Sequence, residues 1–245
     1  MSTTRKIMTQ RFTHLCAAGL LALTTGCAGS YSLIRPNTIN SYTPQAAAGP
    51  VDFGYQFDAL RRVGGNKKYI KKESKLGYHV VAVRVKNNWD RELNFSRDLN
   101  LLYGERPISP VPGTVAAQDM KQGVVIYLLY ALLNFRVGGT VDPRTGATTG
   151  GTFLPTGPFI AAGNMLGASG ANSNMRKEFA AFDLTDRAIK PGETVYGIVC
   201  VREQSVAPMR LELRPNVAGG SAPAAAPAPA PAPTPPATSP TRGGE

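Results

Sequence analysis

The chain is short of the residues that most chemistry needs. Only two histidines occur in 245 residues, and His14 lies in an amino-terminal segment with the character of a signal, so His79 is left alone. A single histidine cannot build a multi-histidine metal site and does not by itself imply a catalytic triad. Of three cysteines, Cys16 and Cys27 belong to that same segment or its end, which leaves Cys200 and excludes a disulfide framework. Cys200 sits in the run Val199-Cys200-Val201, where a buried, inert thiol is expected, because a reactive one needs exposure and a basic neighbour. Acids are scarce, 16 against 27 lysines and arginines. Asp90, Glu92, Asp98 and Glu105 are scattered around turns beside Arg91, Arg97 and Arg106, with no spacing that brings two carboxylates together for acid–base work. Gly138-Gly139 and Gly150-Gly151 lack the Lys-Ser/Thr that follows in a phosphate loop. Neither the apolar run 12–23 nor 124–133 approaches the roughly 20 residues of a membrane-spanning helix. No cofactor or metal is implied, and the expectation is a protein that is not an enzyme.

What is present begins with an address. Arg5, Lys6 and Arg11 precede the short apolar run 12–23, the pattern of a signal peptide, expected to occupy residues 1–26. Thr24, Thr25 and Gly26 then stand before Cys27. This resembles the lipobox of bacterial lipoproteins, with Leu23 four residues before the cysteine instead of the more usual three. The resemblance implies a diacylglycerol on the Cys27 thiol and Cys27 as the mature N-terminus. Because Ala28 replaces the Asp that retains enteric members in the inner membrane, it also implies an outer-membrane location in the cell envelope. The plain alternative is a secretory signal cut at an Ala-x-Ala-like site.

The formal charge of +11 is concentrated locally. Arg61, Arg62, Lys67, Lys68, Lys71, Lys72 and Lys75 surround a single acid, Glu73, and predict a positive patch. Behind a signal peptide, anionic lipid, lipopolysaccharide phosphate or an acidic glycan is a more available partner than nucleic acid. A solvated face that keeps the protein soluble is the simpler alternative.

Residues 27–50, rich in Ser, Thr, Asn, Pro and Ala, read as a flexible tether. Val51, Phe53, Tyr55 and Phe57 alternate with Asp52, Gly54, Gln56 and Asp58, a period of two that predicts a half-buried strand. After the break at Gly64-Gly65-Asn66, residues 66–76 read as a short helix or a loop. The stretch 78–86 is the clearest strand, with Val81, Val83 and Val85 on one face and Arg84 and Lys86 opposite. Further strands are expected at 91–95, 99–103, 194–202 and around Met209, Leu211 and Leu213. Pro191-Gly192-Glu193 supplies a turn. Short strands separated by turns predict a mainly β protein, an antiparallel sandwich over 51–216.

The strand ending Val83, Val85, Asn87, Asn88 and the segment 190–199, KPGETVYGIV, resemble the small immunoglobulin-like domains of bacterial surface and periplasmic lipoproteins. A fainter likeness to envelope lipoproteins of the Bacteroidetes group rests on Gly163-Asn164, Ala171-Asn172 and the same turn. These resemblances imply an Ig-like fold and a compartment, not an activity.

Residues 114–175 depart from a plain sandwich. The spacing predicts a helix over 115–134 whose second half is apolar all round, then a Gly-rich loop over 138–151. A second apolar segment follows at 153–171, with Gly163, Gly167 and Gly170 near small-xxx-small spacing. Such an insertion packs beneath the sandwich as a core hairpin, or else presents Val124, Val125, Ile126, Leu128, Leu129, Leu132 and Leu133 to a membrane or a partner. A short helix or strand near 175–184 leads back to the sandwich. Residues 217–245 are low-complexity Pro/Ala sequence without a core-forming residue, expected to be disordered. Function is expected to be that of a lipid-anchored envelope module, which binds or scaffolds another envelope component. An enzyme or accessory acting on an envelope polymer, or a membrane-interacting protein working through 114–175, are the other classes left open; ligand and oligomeric state are not legible.

Overall fold

Side-chain alternation along the strands assigns each residue to one of two cores, and both are filled. The computed structural model describes residues 28–46, 49–203 and 206–218. The expected signal peptide, Cys27 and the Pro/Ala tail from 219 onward lie outside the described residues.

In chain order, after a 3-10 turn at Pro36–Thr38, come β1 (Thr43–Pro44), β2 (Val51–Gln56), α1 (Ala59–Arg62), α2 (Lys67–Leu76) and β3 (Tyr78–Asn87). Then follow β4 (Leu93–Asn94), α3 (Phe95–Asp98), β5 (Leu99–Tyr103), β6 (Arg106–Ile108), α4 (Gly113–Met120) and a 3-10 helix (Val125–Leu132). Next are β7 (Phe135–Val137), β8 (Thr140–Val141), β9 (Thr148–Thr149), β10 (Thr152–Leu154), α5 (Thr156–Ala181) and β11 (Ala188–Ile189). Last are β12 (Thr194–Arg202), β13 (Met209–Leu213) and α6 (Pro215–Ala218).

One antiparallel sheet runs β1-β2-β3-β12 and a second runs β13-β5-β6. They share a core of Val51, Phe53, Val81, Val83, Val85, Leu99, Leu101, Val199, Val201, Met209 and Leu211. The register of β3 with β12, from Tyr78 opposite Arg202 to Lys86 opposite Thr194, keeps the odd-numbered valines of both strands on that inner face. Gly197 lies on it too. A Cβ there would stand 2.3 Å from Cγ of the buried Leu184, so only glycine lets that side chain cross the sheet.

The other face of the first sheet is not bare. Tyr78, Val80, Ala82, Ile198 and Cys200 pack against Leu60, Tyr69, Ala116, Met120, Met175 and Phe179 from α1, α2, α4 and α5. Only beyond Ala82 does this face open, with Arg84 partly and Lys86 fully exposed. The expected mainly β class is therefore corrected to a mixed one: helix makes up 35% against 29% strand, because helices cover the outer sheet face as far as Ala82 and bury that part of β3 on both sides.

Other expectations change for local reasons. Residues 66–76 are a helix. The expected strand at 91–95 shrinks to β4, paired with β11, because Asn94 Oδ1 accepts from the Ser96 and Arg97 amides and starts α3. The expected Gly-rich loop is a projecting hairpin in which β7 pairs with β10 and β8 with β9. The apolar segment at 153–171 and the expected short element near 175–184 merge into one helix, α5. Its buried positions 157, 161, 164, 168, 171, 175 and 178 alternate spacings of four and three, a single stripe along the 26-residue helix that Phe179 widens at its end.

The expected helix over 115–134 breaks at Lys121, which is extended at φ −55°, ψ 146°. Asn172 on α5 accepts from the Gln122 amide at 2.8 Å and donates to its carbonyl at 3.0 Å. A side-chain amide thus takes both backbone partners that a continuing helix would need. Cys200 is fully buried, and burial holds its thiol well above the ordinary range.

Candidate functional site

Residues 28–36, which the sequence reads as tether, are instead held along α5. Four of the seven buried polar side chains among the described residues do this work: Asn66, Gln122, Asn164 and Glu178. The Ala28 amide donates to Asn164 Oδ1 at 2.8 Å. Gln122 accepts from the Gly29 amide at 3.0 Å and donates to its carbonyl at 2.7 Å. Asn66 accepts from the Ser32 amide at 2.8 Å and donates to the Ser32 carbonyl at 3.0 Å. Glu178 takes the Tyr31 hydroxyl at 2.5 Å and the amides of Ile34 and Arg35 at 3.0 and 2.8 Å. Burial and this carboxylate raise the Tyr31 phenol far above its usual range. Buried polar groups are expensive unless paired, and here the pairing partner is the backbone of the segment itself. Residues 28–36 are fixed where a spacer was expected.

Beside that segment lies an apolar shelf. In the 3-10 helix only Tyr127 is buried, while Val125 is 73%, Ile126 59%, Leu128 51%, Leu129 62% and Leu132 78% exposed. Leu133 is exposed and Val124 half-buried. α5 adds Phe159 and Leu166, 76% and 74% exposed. Gly157 lets the two helices close: a Cβ there would fall 2.3 Å from the Ala131 carbonyl oxygen. Of the two arrangements expected for 124–133, the packed core hairpin is not what forms; a 3-10 helix with α5 on one side only leaves its other side open.

The seven basic residues divide. At 100° per residue, Lys67, Lys71, Lys75, Lys68 and Lys72 fall within about 140° of arc on α2, opposite the buried Tyr69 and Glu73. Arg61 pairs with Asp58 at 3.8 Å and Arg62 reaches the Ser41 hydroxyl at 3.4 Å, so α1 contributes less to the stripe. The stripe adjoins the shelf. Lys68 Nζ donates to the Tyr127 hydroxyl at 2.5 Å and stands 5.0 Å from its ring centre, and Lys72 Nζ donates to the Lys121 carbonyl.

Two clefts remain. One of about 340 Å³ is lined by Asp58, Glu73, His79 and Glu203. Glu73 Oε1 accepts the Val80 amide at 2.8 Å, and burial pushes its carboxyl up to about 7. Glu203 is engaged by Arg106 at 2.5 Å. The other, about 410 Å³, lies between the sheets' edges and is lined by Phe95, Pro110, Thr185 and Arg214 among others. The scattered acids are tied locally: Asp98 to Arg97 at 2.8 Å, Glu105 to Arg210 at 2.7 Å, Asp90 to Arg91 at 3.9 Å. No group of three His, Cys, Asp or Glu side chains among the described residues is placed to hold a metal ion, and no helix among them is long and apolar enough to cross a membrane.

Sequence reasoning missed the burial of Glu73, the one acid inside a lysine run, and missed Glu178, which lies in the segment expected to lead back to the sandwich. The signal for Glu178 was its register: it continues the stripe of Asn164, Ala171 and Met175. Compared with known proteins, the chain matches no family model, no curated protein and no solved structure.

Proposed function

We propose that this protein is a lipid-anchored component of the bacterial cell envelope, held at the outer membrane through Cys27, and that it binds or scaffolds another envelope component without catalysing a reaction. The observation that carries the reading is the apolar shelf over 124–133. Large aliphatic side chains gathered on a surface mark a contact, and this one begins beside the residue that follows the acylation signature. The lysine stripe of α2 supports an anionic partner: a lipid headgroup, an acidic glycan or an acidic face of an envelope protein. As a finer reading of the fold, the two facing sheets, with chain crossings between them after β3 and β12, support an immunoglobulin-like sandwich whose outer sheet face has been covered by helices.

Cell fractionation of the wild type and Cys27→Ala, followed by cross-linking pull-down from the membrane fraction, tests this. Wild type on the membrane with the variant released is the expected result, with the cross-linked species naming the partner. A variant that stays bound removes the anchor.

One observation favours a second reading, an enzyme or accessory acting on an envelope polymer: the Glu73 carboxyl near neutrality shares a cleft with His79 and Glu203. Loss of polymer turnover in Glu73→Gln with polymer binding retained would support it; unaltered turnover would dismiss that cleft.

A further inference from the structure

We propose that the shelf formed by the 3-10 helix and the outer face of α5 lies flat in the leaflet that carries the protein's own acyl chains, with the α2 lysine stripe on its headgroups. The inference rests on acylation of Cys27, and adds to it a fixed orientation. Three observations carry it. The Ala28 amide is bonded to Asn164 on α5, and a Cβ on Gly167 would stand 3.3 Å from that of Ala28, so Ala28 rests on α5 beside Leu166. Ala28 directly follows the proposed acylation site in the sequence, so the first described residue already lies at the edge of the apolar face.

The second observation is composition. Val125, Ile126, Leu128, Leu129, Leu132, Phe159 and Leu166 are exposed with no acid among them, and Tyr127 and Tyr130 stack at 6.0 Å where the shelf meets the protein. A surface of large aliphatic and aromatic side chains free of acids is what an interfacial helix presents to a leaflet. The third is charge. Lys68 and Lys72 reach across to Tyr127 and to the backbone at Lys121, so the basic stripe borders the shelf on the side where anionic headgroups would lie. A short acylated stalk needs none of this, and one lipid-modified residue is held far more firmly when a second membrane contact accompanies it.

The test uses the full acylated chain in vesicles of phosphatidylethanolamine and phosphatidylglycerol. An environment-sensitive fluorophore is placed by Leu129→Cys, by Leu166→Cys, or by Glu105→Cys as a remote control on the β5–β6 turn; buried Cys200 stays unlabelled in the folded protein. The proposal predicts a blue shift and quenching by doxyl-labelled acyl chains at positions 129 and 166, and neither at 105. Vesicle-bound protein whose probes at 129 and 166 remain aqueous overturns the docked orientation while leaving the anchor standing. A blue shift at 129 that already appears without vesicles and grows with protein concentration assigns the shelf to a second copy and also overturns it. An amino-terminal peptide whose mass shows Cys27 unmodified overturns the anchor, and the orientation with it.

Discussion

Two apolar runs meet opposite fates. In β3 the run from Val80 to Val83 is completely buried, whereas in the 3-10 helix five of the aliphatic side chains between Val125 and Leu132 are more than half exposed. Hydrophobicity does not separate them; the number of neighbouring layers does. β3 has the second sheet on one face and helices on the other, each supplied by its own stripe of small and aliphatic residues. The 3-10 helix packs on α5, which approaches it at Gly157, and meets α2 through Lys68 at Tyr127, so its outer side chains have no layer over them. Burial is thus a property of the partners that the rest of the chain provides, and an apolar run covered on one side is a surface awaiting another partner.

That contrast can be broken experimentally. The largest effect is expected for Phe53→Ala in the doubly covered core, a loss of about 3–5 kcal/mol in denaturant unfolding, since a buried aromatic leaves a cavity. A loss below 1 kcal/mol would mean that the two sheets do not share a tight core. Next comes Glu178→Ala, which leaves the Tyr31 hydroxyl and the Ile34 and Arg35 amides without their acceptor. About 2–4 kcal/mol should go, with new proteolytic cleavage near residue 33 as its local mark; unchanged protease resistance would show the segment is held by other means.

Glu73 sharpens the comparison from beneath β3. Burial raises its carboxyl from 4.5 to about 7, so between those values the folded protein keeps a proton that the unfolded chain has released. Stability therefore falls as pH rises through that window, by on the order of 3 kcal/mol in total, and the penalty is complete above pH 7. Asp58 adds to the rise and Arg61 opposes it. In Glu73→Gln this slope should vanish from pH-dependent unfolding curves while the Val80 amide keeps an acceptor; an unaltered slope would place the titration elsewhere. Smallest is Leu129→Ser on the shelf, expected within about 0.5 kcal/mol of wild type. A cost near that of Phe53→Ala would mean the shelf is core after all.

Much of the sheet structure was legible because its signals are local. The alternation of Val81, Val83 and Val85, and of Met209 and Leu211, names the inner faces, and Pro191-Gly192-Glu193 marks the turn before β12. The second core was not legible, since Tyr78, Val80 and Ala82 look like the outer face of a half-buried strand until helices distant in sequence are placed against them. The same limit hid the break after Met120, where the deciding residue is Asn172, and the docking of residues 28–36, whose Ser, Thr and Asn content reads as a spacer. The residues that fix it, Asn66, Gln122, Asn164 and Glu178, are polar side chains on four separate stretches, and no periodicity of the segment itself reveals them. The exposed residues at 124–133 were visible as a candidate contact; that the start of the described chain is bonded alongside them required the structure.

Amide hydrogen exchange across residues 28–36 tests the account most directly, because a fixed segment there is what would tie the proposed anchor to the shelf. In the folded protein the amides of Ala28, Ile34 and Arg35 should exchange slowly, and in Glu178→Ala the protection at Ile34 and Arg35 should be lost while that of β3 remains. Exchange of all three at the rate of an unstructured peptide in the unsubstituted protein would contradict the account, restoring the expected free tether and removing the link between the proposed anchor and the shelf.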